Sequence, residues 1–195
     1  YGTITVVEQT AHSLDGTTGQ CTECGKPCPH DGEINTDNGK CSICGKVCGA
    51  VVIKADGTAV GYDDLAAAFA EAGNNNGCTL KLFSNYVPSK VIKVSGKFTI
   101  DLNGKQCLNS KNIIIGKNAT ITLTGNSNSS IAKLKVAGGT VSADCSGAIY
   151  QITVEDGKLN IYSGEVDSLH IEAGADIALY GGFINDIFNN TGDTI

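Results

Sequence analysis

Between Val91 and Ile184 one short phrase recurs five times: KVSGKFTIDLNG, IIGKNATITLTG, KVAGGTVSAD, TVEDGKLNIYSG and IEAGADIALYGG. Each copy is an apolar run, a tight turn rich in Gly or Asn, and a stretch of alternating apolar and polar residues. Alternation puts successive side chains on opposite faces of a strand. Aligning the copies gives two inward files, Ile100, Ile121, Val141, Leu159, Ile177 and Leu102, Leu123, Ala143, Ile161, Leu179. One coil cannot hide such residues alone; coils above and below must do it. A near-constant period of about 20 residues in a Gly-rich sequence predicts a solenoid. The fold expected is mainly β, a right-handed parallel β-helix, with an antiparallel sandwich as the alternative. Six coils about 4.8 Å apart would make a rod roughly 29 Å long. The outward file Thr99, Thr120, Thr140, Lys158, Asp176 is polar throughout, as a solvated face requires.

Several function classes are disfavoured by charge and pattern. The chain has 195 residues, 25 of them Gly, and a formal net charge of −6; its 14 basic residues are all Lys. That balance argues against nucleic acid or an anionic membrane as partner. No apolar run reaches the ~18 residues of a membrane span. No signal peptide precedes Tyr1 and the repeat is still running at Ile195, so the chain reads as part of a longer protein with further domains.

A second duplication lies ahead of the repeats. After a leader strand or linker over 1–11, the segment 12–50 holds His12-x8-Cys21-x2-Cys24-Gly-Lys-x-Cys28, then His30-x10-Cys41-x2-Cys44-Gly-Lys-x-Cys48. Two CxxCGK knuckles 16 residues apart fit a zinc-ribbon-like module. In each knuckle two thiolates grip one ion while Gly permits the tight turn. Two tetrahedral sites, one per duplicated unit, use all eight groups. A shifted partition instead joins Cys28, His30, Cys41 and Cys44; a ribbon would take Cys21, Cys24, Cys41 and Cys44. Disulfides are the competing reading for a secreted protein, but they leave the repeated His without a purpose. The segment has too few apolar residues for a core, so metal would supply its folding energy. We therefore expect two structural zinc ions. With three Lys against five acids between His12 and Cys48, a nucleic-acid finger is disfavoured.

Residues 51–62 read as a β-hairpin about Asp56-Gly57. The β-helix region 63–195 then opens with a helix over 63–72, whose Leu65, Ala68, Phe69 and Ala72 share one face. Such a helix is placed to cover the first coil, whose open edge would otherwise invite aggregation. Leu80 and Leu82 begin the inward files, and Cys78 takes an inward place matching Phe98. Cys107 and Cys145, like Cys78, have no metal spacing. His170, between inward Leu169 and Ile171, should face solvent. Asp144, Glu165, Asp167 and Asp186 lie near strand ends and would serve glycoside hydrolysis if two stood at a suitable separation.

The knuckles with interspersed His, the YDDLAAAFAEA helix, TIDLNGK and the GG-ended coils together resemble multidomain surface proteins of gut Firmicutes. That resemblance implies secretion or the cell surface, and adhesin-like modules or relatives of pectate-lyase-like β-helices. The lyases hold Ca²⁺ with clustered Asp and use an Arg or Lys base; here Arg is absent and Asp101 is followed in the aligned column by Thr122, Ser142, Asn160 and Ala178. The function expected is a non-catalytic structural or adhesive module presenting a face to glycan or host-surface protein. The alternatives are a polysaccharide lyase or hydrolase, and a zinc-dependent interaction module with the β-helix as spacer. For carbohydrate, Tyr150, Tyr162, Tyr180 and Phe183 are the stacking platform. Tyr162 and Tyr180, one repeat apart, are equally placed to stack on each other.

Overall fold

A computed structural model describes residues 20, 30, 32–88, 90–108 and 113–192. The calls on the leader 1–11 and on His12, Cys21, Cys24 and Cys28 lie outside the described residues. The rest is mainly β: a β-solenoid of about five turns with one short helix.

Strand β1 (Ala50–Ile53) and β2 (Ala59–Tyr62) form the expected antiparallel hairpin. Its turn is held by Asp56, whose carboxylate accepts from the Thr58 N–H and hydroxyl. Helix α1 (Leu65–Asn74) follows, with Asp64 as N-cap accepting from the Ala66 N–H at 2.9 Å. The buried face is Leu65, Ala68, Phe69 and Ala72, as the spacing predicts. The helix runs past Gly73, and Asn75 Nδ2 closes it by donating to the Glu71 carbonyl at 2.8 Å. It lies over the first coil, and Phe69 meets Phe98 edge-on at 6.4 Å.

Each later turn adds a strand to three parallel ladders. On the first, β3 (Thr79–Leu82) pairs with β5 (Lys97–Asp101), β5 with β8 (Thr120–Gly125), and β8 with residues 140–145 of the long β9 (Ser130–Ile171). Strand β10 (Ala175–Leu179) pairs with residues 157–161 of β9. On the second, β6 (Gln106–Cys107) lies on residues 130–131, and β11 (Phe183–Asn189) on residues 165–171. The third runs from β4 (Ile92–Val94) through β7 (Ile113–Ile115) to residues 134–136.

The inward files are real, with one correction. Ile121 stands opposite Val141, Leu123 opposite Ala143, Leu159 opposite Ile177 and Ile161 opposite Leu179, as aligned. Ile100, however, stands opposite Leu123 and not Ile121, whose partner is Phe98. The alignment is two residues out at that coil. A slip of two keeps every side chain on its own face, so the apolar pattern cannot detect it. Asp101 moves with it: it faces Thr124, which faces Asp144, in place of the column through Thr122. The outward file becomes Lys97, Thr120, Thr140, with Lys158 bonded to Asp176 at 2.9 Å.

The interior is closely filled. The space enclosed beneath α1 and the first coils is about 10 Å³ and lined only by apolar side chains and Cys107. At the last described coil the inward residues Leu179 and Ile187 are 55% and 48% exposed.

Cys78, Cys107 and Cys145 are buried free thiols, the small apolar role the pattern gives them. The Cys78 thiol donates to the Ala72 carbonyl, joining the first coil to its lid. Burial pushes Cys107 up to about 12 and raises Cys78 and Cys145 as well. Only the thiolate is nucleophilic. Iodoacetamide at pH 8 is thus expected to leave all three unmodified in the native protein and to label them in denaturant, as read by peptide mass.

Candidate metal centre

A small hairpin carries the second knuckle, through antiparallel bridges between Ile34 and Cys41 and between Lys40 and Val47. At its tip the Cys41 N–H donates to the Lys46 carbonyl at 2.9 Å and the Gly45 N–H to the Cys41 carbonyl at 2.8 Å. Gly45 has φ +68°, the left-handed conformation that glycine adopts without cost. This turn folds Cys44 back beside Cys41. His30, itself at φ +56°, comes in from the preceding chain.

His30, Cys41 and Cys44 form a buried group whose ligand atoms all lie within 4.8 Å of one another, and which could hold a metal ion. The His30 ring is oriented at both nitrogens. Nδ1 is 3.6 Å from Cys44 Sγ, and Nε2 is 3.1 Å from Asp63 Oδ2. A Nε2–H donated to Asp63 leaves the Nδ1 lone pair facing the sulfurs, the carboxylate–histidine arrangement usual behind a bound metal. Asp63 Oδ1 also lies within 3.4 Å of the Gly49 N–H.

The thiol and the imidazole shift in opposite directions. Burial raises the Cys41 thiol, but backbone N–H groups of Cys44 and Ile43 and the His30 side chain outweigh it and bring it down to about 7. Cys41 is thus about half thiolate at pH 7, far more than an ordinary thiol. Burial lowers His30, yet bonds to Cys41 and Asp63 raise it overall above 6.5. The donors fit an ion that favours thiolate and imidazole.

Cys48 is fully buried close by, but its sulfur is not among the mutually close atoms. It packs on Gly61, where a Cβ would stand 2.3 Å from Cys48 Sγ. Burial, then the charges of Asp63, Cys41 and Cys44, push Cys48 up to about 11. The six described cysteines are all free thiols.

The knuckle has its own small core of Ile34, Cys41, Cys44, Cys48 and Val51, with Ile53, Ala59 and Phe83 against it. Strand β1 is the shared wall. Its alternation sends Val51 into this core and Ala50 and Val52 into the solenoid. Lys81 Nζ adds a bond of 3.1 Å to the Thr36 carbonyl. Nothing in the sequence marks Asp63 as partner of a residue 33 positions away; it reads as part of the helix start.

The four aromatic residues named as a stacking platform are all exposed. Tyr162 and Tyr180 stack on each other, centroids 4.8 Å apart and 7° from parallel. Phe183 lies on the next ladder opposite Glu165. Tyr150 stands one coil earlier on that ladder, where Ser168 donates to its carbonyl at 3.1 Å. His170 faces outward as read, and stacks on Phe188 at 4.6 Å. Among the acids, Asp144 accepts from Ser163, while Glu165 and Asp167 both accept from Asn185 Nδ2, at 2.9 and 2.8 Å.

Fold and site together define a β-solenoid protein bearing, among the described residues, one buried His/Cys/Cys group. No family model matches the chain, and no match came from curated proteins or from solved structures.

Proposed function

We propose that the chain is a non-catalytic module of a secreted or cell-surface protein, structural or adhesive, in which a right-handed β-helix presents an outer face to glycan or protein. The observation that carries this reading is the filled interior, which leaves ligand chemistry to the polar and aromatic outer faces of a stiff rod. A glycan array together with turnover assays on pectin, hyaluronan and chondroitin tests it. Binding without product is expected; release of unsaturated or reducing ends from any of the three would replace it.

That replacement is the second reading, a polysaccharide lyase or hydrolase. It is favoured by one observation, the two carboxylates of Glu165 and Asp167 held on a single amide. Turnover lost in both Glu165→Gln and Asp167→Asn would establish it.

The ion in the His30, Cys41, Cys44 group is zinc in this reading, and structural, since thiolate-rich closed sites of this kind contribute folding energy. Two ions per chain follow if the duplicated units pair as His12, Cys21, Cys24, Cys28 and His30, Cys41, Cys44, Cys48. One ion follows if Cys28 completes the second group. The ribbon of Cys21, Cys24, Cys41 and Cys44 is disfavoured because His30 Nδ1 already faces Cys44. Zinc per chain, measured on purified protein, separates these.

A further inference from the structure

Where the first ladder turns into the second, the surface holds an open concavity of about 400 Å³. Its walls include Asn85, Gln106, Asn128, Ser130 and Tyr150, and no lining residue carries a charge. The strand register explains the gathering. Gln106 stands opposite Ser130, and the Cys107–Ile131 pair beside them points into the core, so Gln106 faces outward while Ser130 is covered by its neighbours. The Gln106 N–H donates to Asn85 Oδ1 at 3.0 Å, and the Asn128 N–H is fixed by Asn126 Oδ1, also at 3.0 Å.

The side-chain groups that remain are without partners. Ser130 is 4% exposed, and its hydroxyl has no hydrogen bond among the described residues. A buried hydroxyl left so is costly, and native structures usually satisfy it. The amides of Asn85, Gln106 and Asn128 are solvent-facing and make no side-chain donor bond to any described residue, so they are open to a ligand. Beside them stands Tyr150, 43% exposed. An uncharged set of amides and hydroxyls with one aromatic face is the chemistry that recognises a sugar ring, which offers hydroxyls at its edge and an apolar face to a π-system.

From this we infer that the concavity is a binding site for a neutral saccharide, with Tyr150 as the stacking wall and Gln106, Asn85 and Asn128 as partners for ring hydroxyls. The inference rests on the glycan-presenting reading above and names its site and ligand class. The absence of Lys from the lining separates neutral sugars from uronates.

The test is titration calorimetry of the whole chain with cello-, manno- and galacto-oligosaccharides, and with oligogalacturonate and chondroitin oligosaccharides. A neutral oligosaccharide should bind, and Tyr150→Ala should weaken it about tenfold or more. Gln106→Ala should weaken it as well, with the thermal midpoint measured beside it to show that the coil stays folded. Tyr150→Ala binding like the unmodified chain, or tighter binding of the uronates, overturns the inference. If Tyr162→Ala abolishes binding and Tyr150→Ala does not, the glycan reading stands and this site falls. If neither saccharide class binds, both fall.

Discussion

Cys44→Ser, or stripping the metal with a chelator, is expected to unfold residues 32–48 while the solenoid stays intact. Hydrogen exchange should show the knuckle amides losing protection and the amides of β5, β8 and β9 keeping theirs. The knuckle's own core holds only five buried residues, three of them Cys, which is too little to offset the entropy of ordering the segment. In small metal-folded peptides zinc contributes about 10 kcal/mol or more at neutral pH. The solenoid core is separate, joined through β1. Melting of both regions together would show that the knuckle is an integral cap. Asp63→Asn should lower metal affinity by roughly 10-fold or more, since it removes the carboxylate that orients His30.

Acid should act in the same direction. Cys41, at about 7, takes up its proton as the pH falls through that value, and His30, raised above 6.5, holds its proton to higher pH than usual. Both protons compete with the metal, so affinity measured at pH 8, 7 and 6 should fall at each step. In the metal-free protein the two groups oppose each other. The depressed Cys41 value contributes stability that is full above 9.0 and lost as pH falls through about 7. The raised His30 value contributes stability that is full below 6.5 and lost as pH rises through its folded value.

Gly164→Ala is expected to destabilise the solenoid by about 4 kcal/mol, adding left-handed strain to overpacking. Gly164 sits at a coil corner with φ +93°, and a Cβ there would stand 1.9 Å from the Cys145 carbonyl and 2.8 Å from that of Gly147. Both contacts are backbone and cannot rotate away. Gly57 is the control: φ is +88°, but nothing lies within 4 Å. Its alanine variant should lose only about 1 kcal/mol, from strain alone. Urea midpoints read the difference; equal shifts would mean that coil-to-coil approach does not decide the glycine.

Much of this was legible because it is local. Strand alternation fixes which side chains turn inward, so Ile121, Val141 and Leu159 could be assigned to the core residue by residue. The 3.6-residue spacing fixes the buried face of α1 in the same way. The Cys-x-x-Cys-Gly turn is likewise a short-range object, and the pairing of Cys41 with Cys44 follows from it.

What lay beyond the sequence involves distance along the chain. The two-residue shift between Ile100 and Ile121 leaves the polarity pattern unchanged, so only backbone hydrogen bonds between coils select the register. Asp63 meets His30 because β1 and β2 return the chain to the knuckle, and the spacing of the two residues carries no trace of that. The Tyr150 concavity assembles side chains from four successive turns, at 85, 106, 128 and 150. Period and polarity are written in single segments and determine the kind of fold. Register and site depend on which segments become neighbours, and stacking of the coils decides that.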